Sequence, residues 1–393
     1  MKTLESKQRG TPDFLLLILT LLLVAFGLIM VFSASSSMAV SKSVYNNDAL
    51  YFVKRQLIWV GLGTFVMLVM MNIHFQRFKK LFKLFFIGTL VLLFLVAIIG
   101  VEKNGAKSWI EIGSFSLQPT EFAKLAIILY LAAIIAKKDE KFREFKRGLL
   151  PVMIVVGFFA FLIMLQPDFG SCAILVMCAS AMMIAGGSNL KHVLLSAGVL
   201  LGLAALGTSF YFLINDNASF GFRGARFTAF LDPLADQQAT GYHLTRSLEA
   251  FGHGGFSGAG LGHSVQKLFY LPYAYNDFIF AVIGEELGFI GTTLFILFFI
   301  IFLWRALIVS LRCPDIYGTL VGVGLVSLIS IQALINMGGV SGAIPITGVT
   351  LPFVSYGGSS MLTLLMGMGV LLSISREYNR VEKEQTAPFS KQG

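Results

Sequence analysis

Charge is what this chain has least of. Asp, Glu, Lys and Arg supply 13% of its 393 residues, about half the share typical of soluble domains. Hydrophobic residues make up 56%, with 37 Phe among them. A soluble domain of ordinary makeup is excluded, and the chain reads as an all-α polytopic membrane protein. Cysteine is equally sparse. Cys172 and Cys178 share one apolar run and Cys313 lies beside a basic loop, a spacing that fits neither a disulfide framework nor a metal site. No repeat of 20 to 50 residues is evident, nor the inverted repeat of a transporter. The net charge of +9 does not point to nucleic acid, because most basic residues sit in short clusters between apolar runs, as orientation signals do.

What is there instead is a series of long apolar runs. A spanning helix needs about 20 largely apolar residues, and ten candidates lie near 14–33, 57–73, 81–100, 120–136, 149–165, 170–187, 192–214, 277–304, 317–338 and 350–375. The first run follows Lys2, Lys7 and Arg9 and precedes the small residues from Ser33 to Ser37, but it exceeds the length of a signal-peptide core and reads as a retained helix. With both termini in the cytoplasm, 20 of the 30 Lys and Arg fall inside, 9 outside, and Lys124 within a span, as the positive-inside rule requires. Residues 1–376 then form one integral membrane domain, residues 215–276 a large extracytoplasmic loop between the seventh and eighth helices, and residues 377–393 a flexible cytoplasmic tail. Trp109 to Leu117 alternates apolar and polar residues around Gly113 and Ser114, the pattern of a small hairpin. Pro119 and Pro167 mark outer helix boundaries.

Ionisable residues inside apolar runs carry a free-energy cost and mark function by default. Asp277, Glu285 and Glu286 open the eighth run. Asp277, between the large loop and the membrane, reads either as a helix cap or as a base able to take a proton from a substrate hydroxyl. Continued as one helix from Asp277, Glu285 lies roughly 12 Å deeper on the same side and Glu286 points elsewhere. Glu286 reads as half of a buried ion pair, Glu285 as a supporting residue or a relay member. Glu121 and Lys124, three apart, read first as a structural pair, with the Lys124 ammonium also suited to a phosphate. Asp168 reads as a cap of the sixth helix. Six glycines between Gly252 and Gly262 allow a close approach to a ligand, or movement, but lack the Gly-Lys-Ser/Thr end of a P-loop. Arg223, Arg226, Arg246 and Lys267 place four cations on the outer face, suited to phosphate or pyrophosphate and also to lipid headgroups. His243, His253 and His263, ten apart in a Gly-rich stretch, do not read as a zinc site.

Several separated blocks are similar to one known family. They are Gly105-Ala-Lys-Ser-Trp-Ile-Glu-Ile-Gly, Gln118-Pro-Thr-Glu-Phe-Ala-Lys, Gln166-Pro-Asp-Phe-Gly, Arg226 with Phe230-Leu-Asp-Pro, Gly241-Tyr-His-Leu, Gly260-Leu-Gly-His-Ser-Val-Gln-Lys-Leu-Phe-Tyr-Leu-Pro, Asn276-Asp-Phe-Ile-Phe-Ala-Val-Ile-Gly-Glu-Glu-Leu-Gly and Leu351-Pro-Phe-Val-Ser-Tyr-Gly-Gly-Ser-Ser. Together they span nearly the whole chain. They resemble the SEDS proteins (shape, elongation, division and sporulation), and the division members more than the elongation members, to which the Asn336-Met-Gly-Gly and Ile346-Thr-Gly blocks also incline.

The resemblance implies a peptidoglycan glycosyltransferase that polymerises lipid II into glycan strands at the outer face of the bacterial cytoplasmic membrane, at the septum. It implies a class B penicillin-binding protein and other divisome proteins as partners, with lipid II and the growing strand as ligands. The family's essential aspartate falls on Asp277 and its fourth-helix lysine on Lys124. Trp109 and Ser355 lie in matched blocks and are carried as supporting residues with Glu121 and Glu285. The chain departs from the family pattern at Ser108, Tyr273, Tyr275 and Asn276, beside the residues that would orient the aspartate or bind phosphate. No cofactor is demanded, and a divalent cation, magnesium or manganese, stays open. Two rival readings also stay open: a lipid II flippase, and a non-catalytic scaffold for the synthase.

Overall fold

The computed structural model describes residues 10–103, 106–113, 115–214, 230 and 241–386. Ten long helices follow the ten apolar runs. They are α1 (Phe14–Ser41), α2 (Tyr51–Asn72), α3 (Phe75–Ile99), α4 (Pro119–Lys138), α5 (Leu150–Met164), α6 (Phe169–Ala185) and α7 (Leu190–Ile214), and, beyond the short α8 (Tyr242–Gly254), α9 (Ile279–Leu311), α10 (Ile316–Val340) and α11 (Gly358–Thr386). Eight are long and apolar enough to cross a membrane, while α6 and the described apolar part of α7 are shorter. The chain is a multi-pass membrane protein.

Burial sorts these helices into a centre and a rim. Of their most apolar windows, 78% of α4, 67% of α10 and 78% of α11 lie inside the protein, against 22% of α2 and 17% of α3. The central helices can therefore carry polar residues shielded from hydrocarbon, whereas α2 and α3 present leucines and phenylalanines outward. Short polar residues set the helix starts. Asp13, Asp168 and Asp315 accept from the backbone N–H of Leu16, Ser171 and Gly318, the capping expected of Asp, and Pro119 opens α4 where its missing N–H is harmless.

The first and last described segments meet at one end of the bundle. Arg305 of α9 grips Asp13 through two contacts, 3.2 and 2.5 Å. Arg376 reaches the Gly10 carbonyl at 2.9 Å and Asn379 the Thr11 carbonyl at 2.7 Å. Residues expected to form a loose tail from 377 onward instead continue α11 to Thr386, because Tyr378 receives Arg312 and Asn379 holds the N-terminal segment.

The opposite end, called here the loop end, carries a three-stranded sheet before α4. Strand β2 (Ala106–Ile112) lies between β1 (Val101–Lys103) and β3 (Phe115–Leu117). Ile112 pairs with Phe115, so the link is two residues long and Gly113 takes φ +60°, the backbone such a turn demands. β1, absent from the expected hairpin, pairs Lys103 with Ala106 of β2, and the sequence between them, Asn104-Gly105, is itself a hairpin-turn signal.

Helix α9 is broken at Gly288, with φ +66° and ψ −170°. An unbroken helix would bond Phe289 N to Glu285 O and Ile290 N to Glu286 O. Here the stretch after α8 takes up all four groups. Ala259 and Gly260 donate to Glu285 O and Glu286 O at 2.9 and 3.0 Å, and Phe289 and Ile290 donate to Gly255 O and Phe256 O at 2.8 and 3.1 Å. Backbone groups freed inside a membrane protein require partners, and this loop supplies them. A Cβ on Gly254, Gly258 or Gly288 would meet backbone at 2.2, 2.3 and 2.2 Å. Of the six glycines expected to approach a ligand, Gly254 and Gly258 thus approach α9 itself.

Candidate functional site at the loop end

Asp277 sits in a turn two residues before α9, half-buried. The helix cap is Phe278, with no side-chain bond, so Asp277 does not cap the helix. The extrapolation of one helix from Asp277 to Glu285 fails for the same reason, since residues up to Phe278 form turns. Asn336 of α10 fixes its position: the Asn336 amide donates to the Asp277 carbonyl and to the Val349 carbonyl, both at 2.7 Å. Gly348, at φ +76°, brings its backbone so close that a Cβ there would lie 3.6 Å from Asp277 Oδ2. Asp277, Asn336, Gly339, Ile346, Thr347 and Gly348 line a shallow open pocket.

Glu285 and Glu286 face the loop rather than the pocket. Glu285, fully buried, takes Val265 N at 2.8 Å, Gln266 N at 3.3 Å, His253 Nδ1 at 2.8 Å and the Ser264 hydroxyl. It pins the stretch that returns to Asp277. Glu286 holds Lys267 at 2.7 Å and the Ser33 hydroxyl of α1 at 2.6 Å. Reading Glu286 as an ion-pair partner anticipates this geometry. Lys267, expected to face phosphate, instead has its ammonium on Glu286 and Ser33, with its side chain 4% exposed. The acids of α9 outcompete a surface role because an ammonium carried this deep must be paired.

The other cations divide. Lys124 and Glu121 pair at 2.7 Å with side chains 1% and 9% exposed, the structural pairing read from their spacing. Arg246 lies over Tyr242 and Tyr270 and bonds Glu249 at 2.6 Å, with its side chain 32% exposed. Arg223 and Arg226 lie outside the described residues. Asp168, the cap of α6, also accepts from Gln118 Nε2 at 3.3 Å. Ser355 accepts from Leu351 N at 2.8 Å and so shapes the turn before α11. Trp109 is half-buried in β2. Among the described residues no three of His, Cys, Asp and Glu gather to hold a metal ion.

Asn336, His253, Ser264 and Ser33 were not singled out as site residues by the sequence. Asn336 carries a signal in hindsight, as an amide on an apolar helix directly before Met-Gly-Gly. Buried Thr120, Gln166 and Gln332 each keep a polar side-chain atom without a partner among the described residues. Together these groups make the loop end of the interior polar.

This arrangement defines a polytopic membrane protein with a half-buried carboxylate residue, Asp277, beside a small pocket at one end of its helix bundle. Residues 13–380 match the family described as cell cycle protein, the group of FtsW, RodA and SpoVE. The chain belongs to that family, and the SEDS resemblance is borne out. It is 45% identical over 376 residues to stage V sporulation protein E of Bacillus subtilis, covering 95% of this chain and 99% of that one. It is 40% identical to a probable peptidoglycan glycosyltransferase FtsW of Trichlorobacter lovleyi, covering 92% and 93%, and 39% identical to the FtsW of Bacillus subtilis so described, covering 97% and 96%. Among solved structures it resembles a chain from a study of polymerization and crosslinking by a peptidoglycan synthase complex, at TM-score 0.72 and 27% identity over 93% of this chain and 98% of that one. Thermus thermophilus RodA shares the fold at TM-score 0.67 and 24% identity, over 93% and 97%.

Proposed function

We propose that this chain is a peptidoglycan glycosyltransferase that polymerises lipid II at the outer face of the cytoplasmic membrane, both termini inside, during cell division. The observation that carries the reading is Asp277, half-buried, held by its main-chain carbonyl to Asn336 and lining a small pocket at the loop end. The names of its relatives supply the reaction class.

In this mechanism Asp277 accepts the proton of an acceptor sugar hydroxyl. That oxygen bonds to the anomeric carbon of the donor, the bond from that carbon to the lipid pyrophosphate breaks, and the pyrophosphate leaves on the opposite side with inversion. A positioned base contributes typically 10²- to 10⁴-fold. Charge on the leaving group falls to loop cations. Arg246, although paired with Glu249, is exposed enough to serve, whereas Lys124 and Lys267 are buried with their carboxylates. A class B penicillin-binding protein would supply crosslinking, as the likeness to a synthase complex supports.

A flippase would need polar groups through the full thickness. The pairs Glu121–Lys124 and Glu286–Lys267 lie within about 12 Å of the loop-end starts of α4 and α9, which favours surface chemistry. A sporulation role is the second reading for the cellular stage, because identity to the Bacillus subtilis sporulation protein, 45%, exceeds that to the FtsW of the same strain, 39%. The test is glycan formation from purified lipid II by the chain with its penicillin-binding partner, the transpeptidase serine inactivated. Polymer is expected; lipid II translocation without polymer would favour the flippase.

A further inference from the structure

Beside Asp277 the chain builds an aromatic wall from three separate segments. Phe52 of α2 is its buried hub, with ring centroids 4.9 Å from Tyr45, 4.4 Å from Tyr275 and 5.3 Å from Tyr356. Tyr45 and Tyr51 lie 5.0 Å apart, and the Arg55 guanidinium covers Tyr51 at 4.8 Å. The phenol of Tyr45 is shifted upward by burial and then by the neighbouring phenols of Tyr51 and Tyr273. That of Tyr275 is shifted upward by burial first, then by Tyr45, Tyr356, Tyr273 and Asp277. The rings of Tyr45, Tyr51, Tyr275 and Tyr356 all pack on Phe52, and Tyr275 lies two residues before Asp277.

Phe52 is buried, and Tyr275 and Tyr356, half-buried, tie α2 to the turns around Asp277 and before α11, with Tyr356 N donating to Tyr275 O at 3.0 Å. Tyr45, Tyr51 and Arg55 are half-buried as well. Tyr273 is 43% exposed and has φ +57°, a conformation rare for a bulky side chain and characteristic of functional positions.

We propose that Tyr273, Tyr51 and Tyr45, with Arg55, form a carbohydrate subsite that holds an N-acetylated hexosamine of the glycan against Asp277. An aromatic face packs on the apolar C–H face of a hexose while phenol and guanidinium groups bond its polar rim, the combination that makes Tyr effective at wet binding sites. The inference rests on the glycosyltransferase reading.

The test is the initial rate of polymerisation against lipid II concentration for the full chain with its penicillin-binding partner. Tyr273→Gly removes the ring yet suits the left-handed backbone, so it keeps or improves folding. It is expected to raise the half-saturating lipid II concentration about tenfold with little change in maximal rate, the signature of lost ground-state binding. Tyr51→Ala should act in the same direction and Tyr273→Phe, which keeps the ring, far less. Tyr273→Gly and Tyr51→Ala proteins that fold and saturate like the wild type would overturn the subsite while the glycosyltransferase reading stood. Wild-type protein that forms no polymer would overturn both.

Discussion

The side chain of Asn336 holds the main chain of Asp277: its amide donates to the Asp277 carbonyl at 2.7 Å and, over the same distance, to Val349. The candidate base therefore sits in a turn braced from the centre of the bundle. Asn336→Ala removes both bonds, worth about 1 kcal/mol each and more where an acceptor stays buried. The expected outcome is a polymerisation rate reduced about tenfold or more in protein that still folds and inserts, checked by rate measurement beside a thermal melt. A rate equal to wild type would remove Asn336 from the positioning of Asp277.

Lys267 and Glu286 form a buried pair whose members cannot be lost singly without leaving a charge behind. Lys267→Met should cost about 3–5 kcal/mol, whereas Lys267→Met with Glu286→Leu should recover much of it. Thermal unfolding of the detergent-solubilised protein reads the difference. A single variant as stable as the double would show that the charge is not stranded.

The glycines of the 252–262 stretch are predicted to be unequal. Gly258→Ala puts a Cβ 2.3 Å from the Glu286 carbonyl at φ +81°, while Gly252 has nothing within 4 Å. Gly258→Ala and Gly288→Ala should each destabilise by a few kcal/mol, of the order expected for backbone strain with a clash. Gly252→Ala should be tolerated, and the yield of monodisperse protein distinguishes the three.

Asp13 both caps α1 and receives Arg305. Asp13→Asn keeps the cap and loses the charge, while Asp13→Ala loses both, so Ala should be the more destabilising by the roughly 0.5–2 kcal/mol of a cap. Equal melting temperatures for the two variants would show that the cap carries no weight.

The spans were legible in the sequence because an apolar run of the right length admits little else in a bilayer. The hairpin was legible through Gly113 and Ser114, and the pairings of Glu121 and Glu286 through the cost of a lone charge in hydrocarbon. Less visible were the break at Gly288 and its loop partner, since the bonds joining Phe289 to Gly255 and Ala259 to Glu285 are between backbones and leave no side-chain signature except glycine. Helix α8 had a readable trace, because its buried Leu244, Ser247, Ala250 and Gly254 recur at helical spacing. The fate of Lys267 was hidden because its partner lies 19 residues away, across the re-entering loop.

The central claim is that the Asp277 carboxylate accepts the proton of the acceptor sugar. The most direct measurement compares glycan polymerisation from lipid II by the wild-type chain and by Asp277→Asn, each assembled with the same transpeptidase-inactive penicillin-binding partner. Asn keeps the size of Asp and removes its basicity, so the account predicts lipid II binding close to wild type and a rate lower by about 10²- to 10⁴-fold. An Asp277→Asn protein that polymerises at the wild-type rate would contradict it.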